Sequence, residues 1–124
     1  MAFERFIKTG RSSLPKVSIW SRGQIGFSLG AINKYDLDKF SHVVLLYDKD
    51  DEKVGFMLTN NEHEEGAVKL SVRKTGATVG AKPFLDYYEI DFSETRRYDM
   101  KYDKEQNLYV IDLKEQDSSD KQTE

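Results

Sequence analysis

The fold is decided by residues 23–37, which read GQIGFSLGAINKYDL. Ile25 and Phe27 alternate with small or polar residues, which is the period-2 pattern of a strand with one buried face. On the other side of a glycine-containing turn, Val17 and Ile19 alternate in the same way. Glycine tolerates the positive φ that tight hairpin turns often require, so the first half of this region predicts a β-hairpin.

The second half predicts a short helix, and a second hairpin follows it. Ala31 and Tyr35 lie at helical spacing and predict a helix of about two turns. Val43–Tyr47 is a continuous apolar run, which is typical of a buried strand. A polar turn at residues 48–53 joins it to Val54–Leu58, where apolar residues alternate again. The unit therefore reads strand, strand, helix, strand, strand.

The same order of elements returns 53 residues later. Beyond the helix the offset becomes 55, where Tyr47–Lys49 matches Tyr102–Lys104. A unit of this kind has open strand edges, and two units remove those edges by interleaving. The sequence therefore predicts a mainly β fold of small α+β type, a pseudo-twofold β-barrel built from two β-β-α-β-β repeats. The identities at the first offset are Ser18, Gly23, Tyr35 and Asp38, which fall on Ser71, Gly76, Tyr88 and Asp91.

These patterns divide the chain into five parts. Residues 1–16 form an N-terminal arm that carries both basic and apolar side chains. Residues 17–58 are the first repeat, residues 59–69 a polar linker, and residues 70–113 the second repeat. Residues 114–124 are polar and charged, which predicts a disordered acidic tail.

Residues 23–37 resemble the signature of the AbrB, MazE and MraZ family of swapped-hairpin barrels. That signature has a strand, a turn ending in Gly-Gln or Gly-Arg, an aliphatic strand, a short helix and a closing hairpin. The resemblance covers residues 16–113 and implies a DNA-binding regulator or an antitoxin. The chain departs from the family at Ser28 and Ala81, where proline is usual. The same pattern also suits other pseudo-twofold barrels, including the double-psi barrels of enzymes.

The composition argues against an enzyme. The chain has no cysteine, which removes thiolate metal sites and cysteine nucleophiles and fits a cytoplasmic location. No apolar run approaches the length of a membrane helix. Phosphate-binding glycine loops and nucleophile elbows are missing from the sequence, and His42 and His63 lack a second ligand at metal-binding spacing. We predict no catalytic residue, cofactor or metal.

The basic side chains are unevenly distributed, although the net charge is −3. Residues 1–34 hold six basic side chains and one acid, and residues 69–82 hold four basic side chains and no acid. Clusters of this kind point to a polyanion as partner. Trp20 next to the first basic turn suits either an outward, ligand-facing position or the core. The predicted nucleic-acid contacts are Arg11, Lys16, Arg22, Arg73 and Lys74.

Two functions remain open at this point. The first is a transcriptional regulator of AbrB-like type that binds double-stranded DNA, with the two repeats acting as an internal dimer. The alternative is a protein-interaction module, antitoxin-like and of phage or plasmid origin, that binds a protein partner and no nucleic acid. A homodimer is compatible with both. The predicted core comprises Ile19, Ile25, Phe27, Leu37, Val44, Leu46, Phe56, Val72, Leu85, Ile90, Met100 and Val110.

Overall fold

A computed structural model describes residues 14–115. The described chain folds into strands, two short α-helices and one 3₁₀ turn at Leu37–Lys39. The first part contains β1 (Lys16–Ile19), β2 (Gln24–Ser28), α1 (Leu29–Tyr35), β3 (His42–Asp48) and β4 (Lys53–Thr59). The rest contains β5 (Ala67–Lys69), β6 (Ser71–Arg73), β7 (Gly76–Gly80), α2 (Lys82–Tyr87), β8 (Arg96–Asp99), β9 (Lys101–Asp103) and β10 (Leu108–Asp112).

The strands form two antiparallel five-stranded sheets, so the prediction of a mainly β protein is confirmed. Sheet A has the order β6-β7-β2-β1-β8, and sheet B has the order β5-β3-β4-β10-β9. Leu70 alone separates β5 from β6, and Met100 alone separates β8 from β9. Each of these two segments therefore contributes its first half to one sheet and its second half to the other.

The core lies between the inner faces of the two sheets. Phe27 of sheet A and Phe56 of sheet B meet edge to face, with ring centroids 5.1 Å apart. Leu37, just after α1, and Leu85, within α2, are fully buried in the same core cluster. Because both sheets bury their inner faces against one another, their outer faces point in opposite directions.

The two helices begin and end for local reasons. The Ser28 hydroxyl accepts a hydrogen bond from the Ala31 backbone N–H at 3.2 Å and so caps the first turn of α1. Pro83 lies in the first turn of α2, where its missing N–H costs no helical hydrogen bond. Asp36 after α1 and Glu89 after α2 both have φ of 55°, which turns the chain out of each helix.

Part of the predicted core is wrong. Val44 and Val110 are half-buried, and Leu46 and Val72 are each 38% exposed. The run Val43–Tyr47 predicts a buried strand, but only one face of sheet B is covered by the core. Val43 therefore points inward, while its neighbours Val44 and Leu46 line the outer face. Val72 lies on β6, an edge strand of sheet A.

Three of the predicted boundaries differ from the structure. The linker predicted at residues 59–69 is shorter, because Thr59 still belongs to β4 and Ala67–Lys69 pairs with β3. Lys16, assigned to the arm, already belongs to β1. The remainder of the arm up to residue 13, and the tail from residue 116, lie outside the described residues. Neither helix within residues 14–115 has the length and apolar character needed to cross a membrane.

Candidate nucleic-acid interface

A groove of about 480 Å³ runs over the outer face of sheet A. Its floor consists of small residues, which occupy the outward positions of the adjacent strands. Ser18 of β1 pairs with Gly26 of β2, and Gly26 pairs with Thr78 of β7. Gly76 at the start of β7 continues the floor toward one end. We call this feature the sheet A groove; Ser18 and Thr78 bring hydroxyl groups to its floor.

Trp20 forms one rim of the groove. A Cβ atom built on Gly26 would lie 2.4 Å from the Trp20 ring, so the ring lies directly on the glycine. The Arg22 guanidinium lies 4.7 Å from the ring centroid, and its Nε donates to Gln24 Oε1 at 2.7 Å. The structure thus selects the outward position for Trp20 over the core. A planar cation and an aromatic ring are stacked at the groove edge.

Arg73 lines the opposite end of the groove, and Lys74 follows it in the exposed turn between β6 and β7. The two basic turns lie at opposite ends of sheet A, because β2 and β7 are antiparallel. Gln24 next to the first turn pairs with Gly80, whereas the second turn adjoins Gly76. Strands of this length span about 17 Å. The predicted residues therefore bracket the groove and do not form a single cluster.

Lys16 and Arg11 are the other two predicted nucleic-acid contacts. Lys16 forms an ion pair with Asp99 across the β1–β8 pairing, and only 11% of its side chain is exposed. Its charge is therefore already engaged within sheet A. Arg11 lies outside the described residues, although the chain joins the sheet nearby, where the Ser28 hydroxyl donates to the Leu14 carbonyl at 3.1 Å.

Arg97 is a groove residue that the sequence did not reveal. It lies on β8, opposite Ser18 in the register of β1 and β8, and lines the groove. Alternation with the buried Tyr98 predicts that Arg97 points outward from the sheet. What the sequence could not provide is the pairing of β8 with β1, which joins segments far apart in the chain.

Charge distinguishes the sheet A groove from two other depressions in the described part of the chain. No acidic residue is among its described lining residues. The depression beside β9 combines lysines with several carboxylates. The one near the end of α2 is acidic, with Asp86, Glu89 and Asp91. Hydrogen bonds from Ser93 hold the pKa of Asp91 below its usual range, so this carboxylate is charged at neutral pH.

Residues 14–115 contain no cluster of three or more side chains suited to hold a metal ion. His42 shares a hydrogen bond with the Ser41 hydroxyl at 2.8 Å, and His63 lies 3.5 Å from Glu62 in an exposed segment. Comparisons with protein-family models, with curated proteins and with solved structures found no match.

Proposed function

We propose that this chain binds DNA along the sheet A groove and acts as a transcriptional regulator. The main support is a groove whose described lining contains no acidic residue. One aromatic ring and three arginines line or flank it: Trp20, Arg22, Arg73 and Arg97. This local arrangement occurs in a chain whose net charge is −3. Arginine recognises phosphate with two parallel hydrogen bonds, and such contacts supply most non-specific affinity for DNA.

The spacing of the basic turns supports a duplex ligand. Arg22 and the pair Arg73 and Lys74 are separated by about the length of a five-residue strand, roughly 17 Å. The major groove of B-DNA is about 12 Å wide, and arginine side chains extend several ångströms beyond the backbone. The two turns would contact phosphates on either side of that groove, with the small-residue floor between them.

The architecture that fits this function is an internal dimer. Four non-glycine residues with positive φ recur at the offsets of the repeat. Asp36 and Glu89, which follow the two helices, lie 53 positions apart. Glu52 and Asn107, in the hairpin turns, lie 55 positions apart. Leu70 and Met100 link the two edge strands of sheet A to the two edge strands of sheet B along the chain. We take this as support for a closed pseudo-twofold barrel made from duplicated units, as the resemblance to AbrB-like regulators implies.

Removal of the turn charges tests the proposal. Each phosphate neutralised on duplex DNA contributes about −0.9 to the slope of log affinity against log salt. The triple variant Arg22→Ala, Arg73→Ala, Lys74→Ala should therefore flatten the slope by roughly three such units. Fluorescence anisotropy with a labelled mixed-sequence duplex, measured at several salt concentrations, gives both slopes.

A charge-matched control separates local contacts from net charge. Lys39, Lys49 and Lys104 are exposed and lie outside the sheet A groove. Replacing these three by alanine should leave the slope close to that of the wild type. Equal slopes for the two triple variants would contradict the groove as the binding surface. Absence of any complex at low salt would contradict DNA binding altogether, since competent basic faces bind at about 10⁻⁴ to 10⁻⁶ M.

A protein-interaction module remains the second candidate, and one observation favours it. The outer face of sheet B exposes Leu46 at 38% beside other apolar side chains. Contiguous apolar surface on a folded chain commonly marks a protein interface. The two candidates use different faces of the molecule, so variants on one sheet can be tested without disturbing the other.

A further inference from the structure

The outer face of sheet B carries a continuous apolar patch. Val44 pairs with Met57 in one row, while Leu46 and Val110 both pair with Gly55 in the next. A Cβ on Gly55 would lie 3.2 Å from a Leu108 methyl group and 3.6 Å from the Leu46 Cβ, so these side chains close over the glycine. We call this the sheet B patch; its members are Val44, Leu46, Gly55, Met57, Leu108 and Val110.

This patch faces away from the core. Phe56 and Val54, which alternate with Gly55 on β4, are completely buried on the inner face. The patch residues are half-buried or exposed, except for the glycine itself. An antiparallel sheet normally presents polar residues on its solvent side. An apolar outer face therefore calls for a covering partner.

Charges beside the patch are complementary to those of a second copy of this chain. Lys101 on β9 pairs with Val110, and Asp103 pairs with Leu108, so the cation flanks one apolar row and the anion flanks the other. Hydrogen bonds from Gln106 lower the pKa of Asp103, which therefore stays charged at neutral pH. A twofold axis in the plane of the patch and perpendicular to the strands exchanges the two rows. It would bring each Lys101 opposite the Asp103 of a second copy.

We propose that a second copy of this chain covers the sheet B patch, giving a face-to-face homodimer. The same axis places the Val44 row against the Leu46 row, so apolar side chains meet apolar side chains throughout the centre. Oppositely charged residues meet at the rim formed by β9. The arrangement is isologous, because one surface complements itself. The two sheet A grooves then face outward on opposite sides of the dimer.

Sedimentation velocity over a range from low to high micromolar concentration tests the pairing. The wild-type chain should sediment at twice its 14.4 kDa mass. Leu46→Lys places two charges in the centre of the interface and should yield monomer throughout the range. Tyr87→Lys is the control, since Tyr87 is 78% exposed and lies at the end of α2, outside the sheet B patch. It should dimerise like the wild type.

A second variant keeps the test decisive if Leu46→Lys fails to fold, which circular dichroism would reveal. Lys101→Glu changes two attractive contacts into repulsive ones and should raise the dimer dissociation constant about tenfold. Weakening in this variant supports the proposal. A wild-type chain that stays monomeric at high micromolar concentration overturns it and assigns the patch to a different protein. A dimer that survives both substitutions overturns it as well.

Discussion

Replacing Phe56 by alanine should destabilise the protein by about 3–5 kcal/mol, the largest effect we expect from a single substitution. The side chain is completely buried and packs edge to face on Phe27, which belongs to the opposite sheet. Its loss removes apolar burial and leaves a cavity between the two sheets. Since small domains are stabilised by only about 5–15 kcal/mol in total, a large share of the stability would be lost.

Urea denaturation followed by circular dichroism measures this change, with all proteins at one concentration because dimerisation would shift the midpoint. Val72→Ala is the control. Val72 is 38% exposed on an edge strand, so its truncation should change the free energy of unfolding by no more than about 1 kcal/mol. A loss below about 1 kcal/mol in Phe56→Ala would show that the two sheets do not share the core described above.

The two ends of β7 should respond oppositely to the same substitution. A Cβ on Gly76 would lie 2.7 Å from the backbone oxygen of Phe27. That oxygen belongs to β2, which pairs with β7, so it cannot retreat without disturbing the β2–β7 pairing. We expect Gly76→Ala to cost about 1–3 kcal/mol, as overpacking of a tight contact usually does.

Gly80, at the other end of the same strand, has nothing within 4 Å of the corresponding position. Gly80→Ala should therefore be neutral or stabilise by up to about 1 kcal/mol, because alanine restricts the unfolded chain. Thermal unfolding of both variants gives the comparison. Equal melting temperatures for the two would contradict the close approach of β7 to β2 at Gly76.

The local elements could be predicted from the sequence because their signals are local. Alternation at Ile25 and Phe27 predicted β2, and the return of the same element order 53 residues later predicted α2. The assignment failed where both faces of a strand are apolar. Because Val43, Val44 and Leu46 are all apolar, the sequence does not indicate which face of β3 points inward. The outer face of sheet B was therefore assigned to the core.

The candidate site was predicted in part for a similar reason. Arg22 and Arg73 were found because each belongs to or adjoins a turn that the sequence marks with glycine. Arg97 was missed because its position depends on the pairing of β8 with β1. The same pairing joins Lys16 to Asp99, 83 residues apart, and engages a lysine that had been assigned to DNA. Contacts at that separation leave no periodic signal in a single sequence.

The central claim, that DNA lies along the sheet A groove, can be tested through Trp20, the only tryptophan in the chain. Its ring packs on Gly26 at the rim of the groove and stacks with Arg22, so a ligand that draws Arg22 to a phosphate must change the tryptophan environment. The direct measurement is its emission during titration with duplex DNA at low and high salt. We predict a saturable change whose midpoint moves to higher DNA concentration as salt increases. Binding seen by anisotropy while Trp20 emission stays constant would contradict the account.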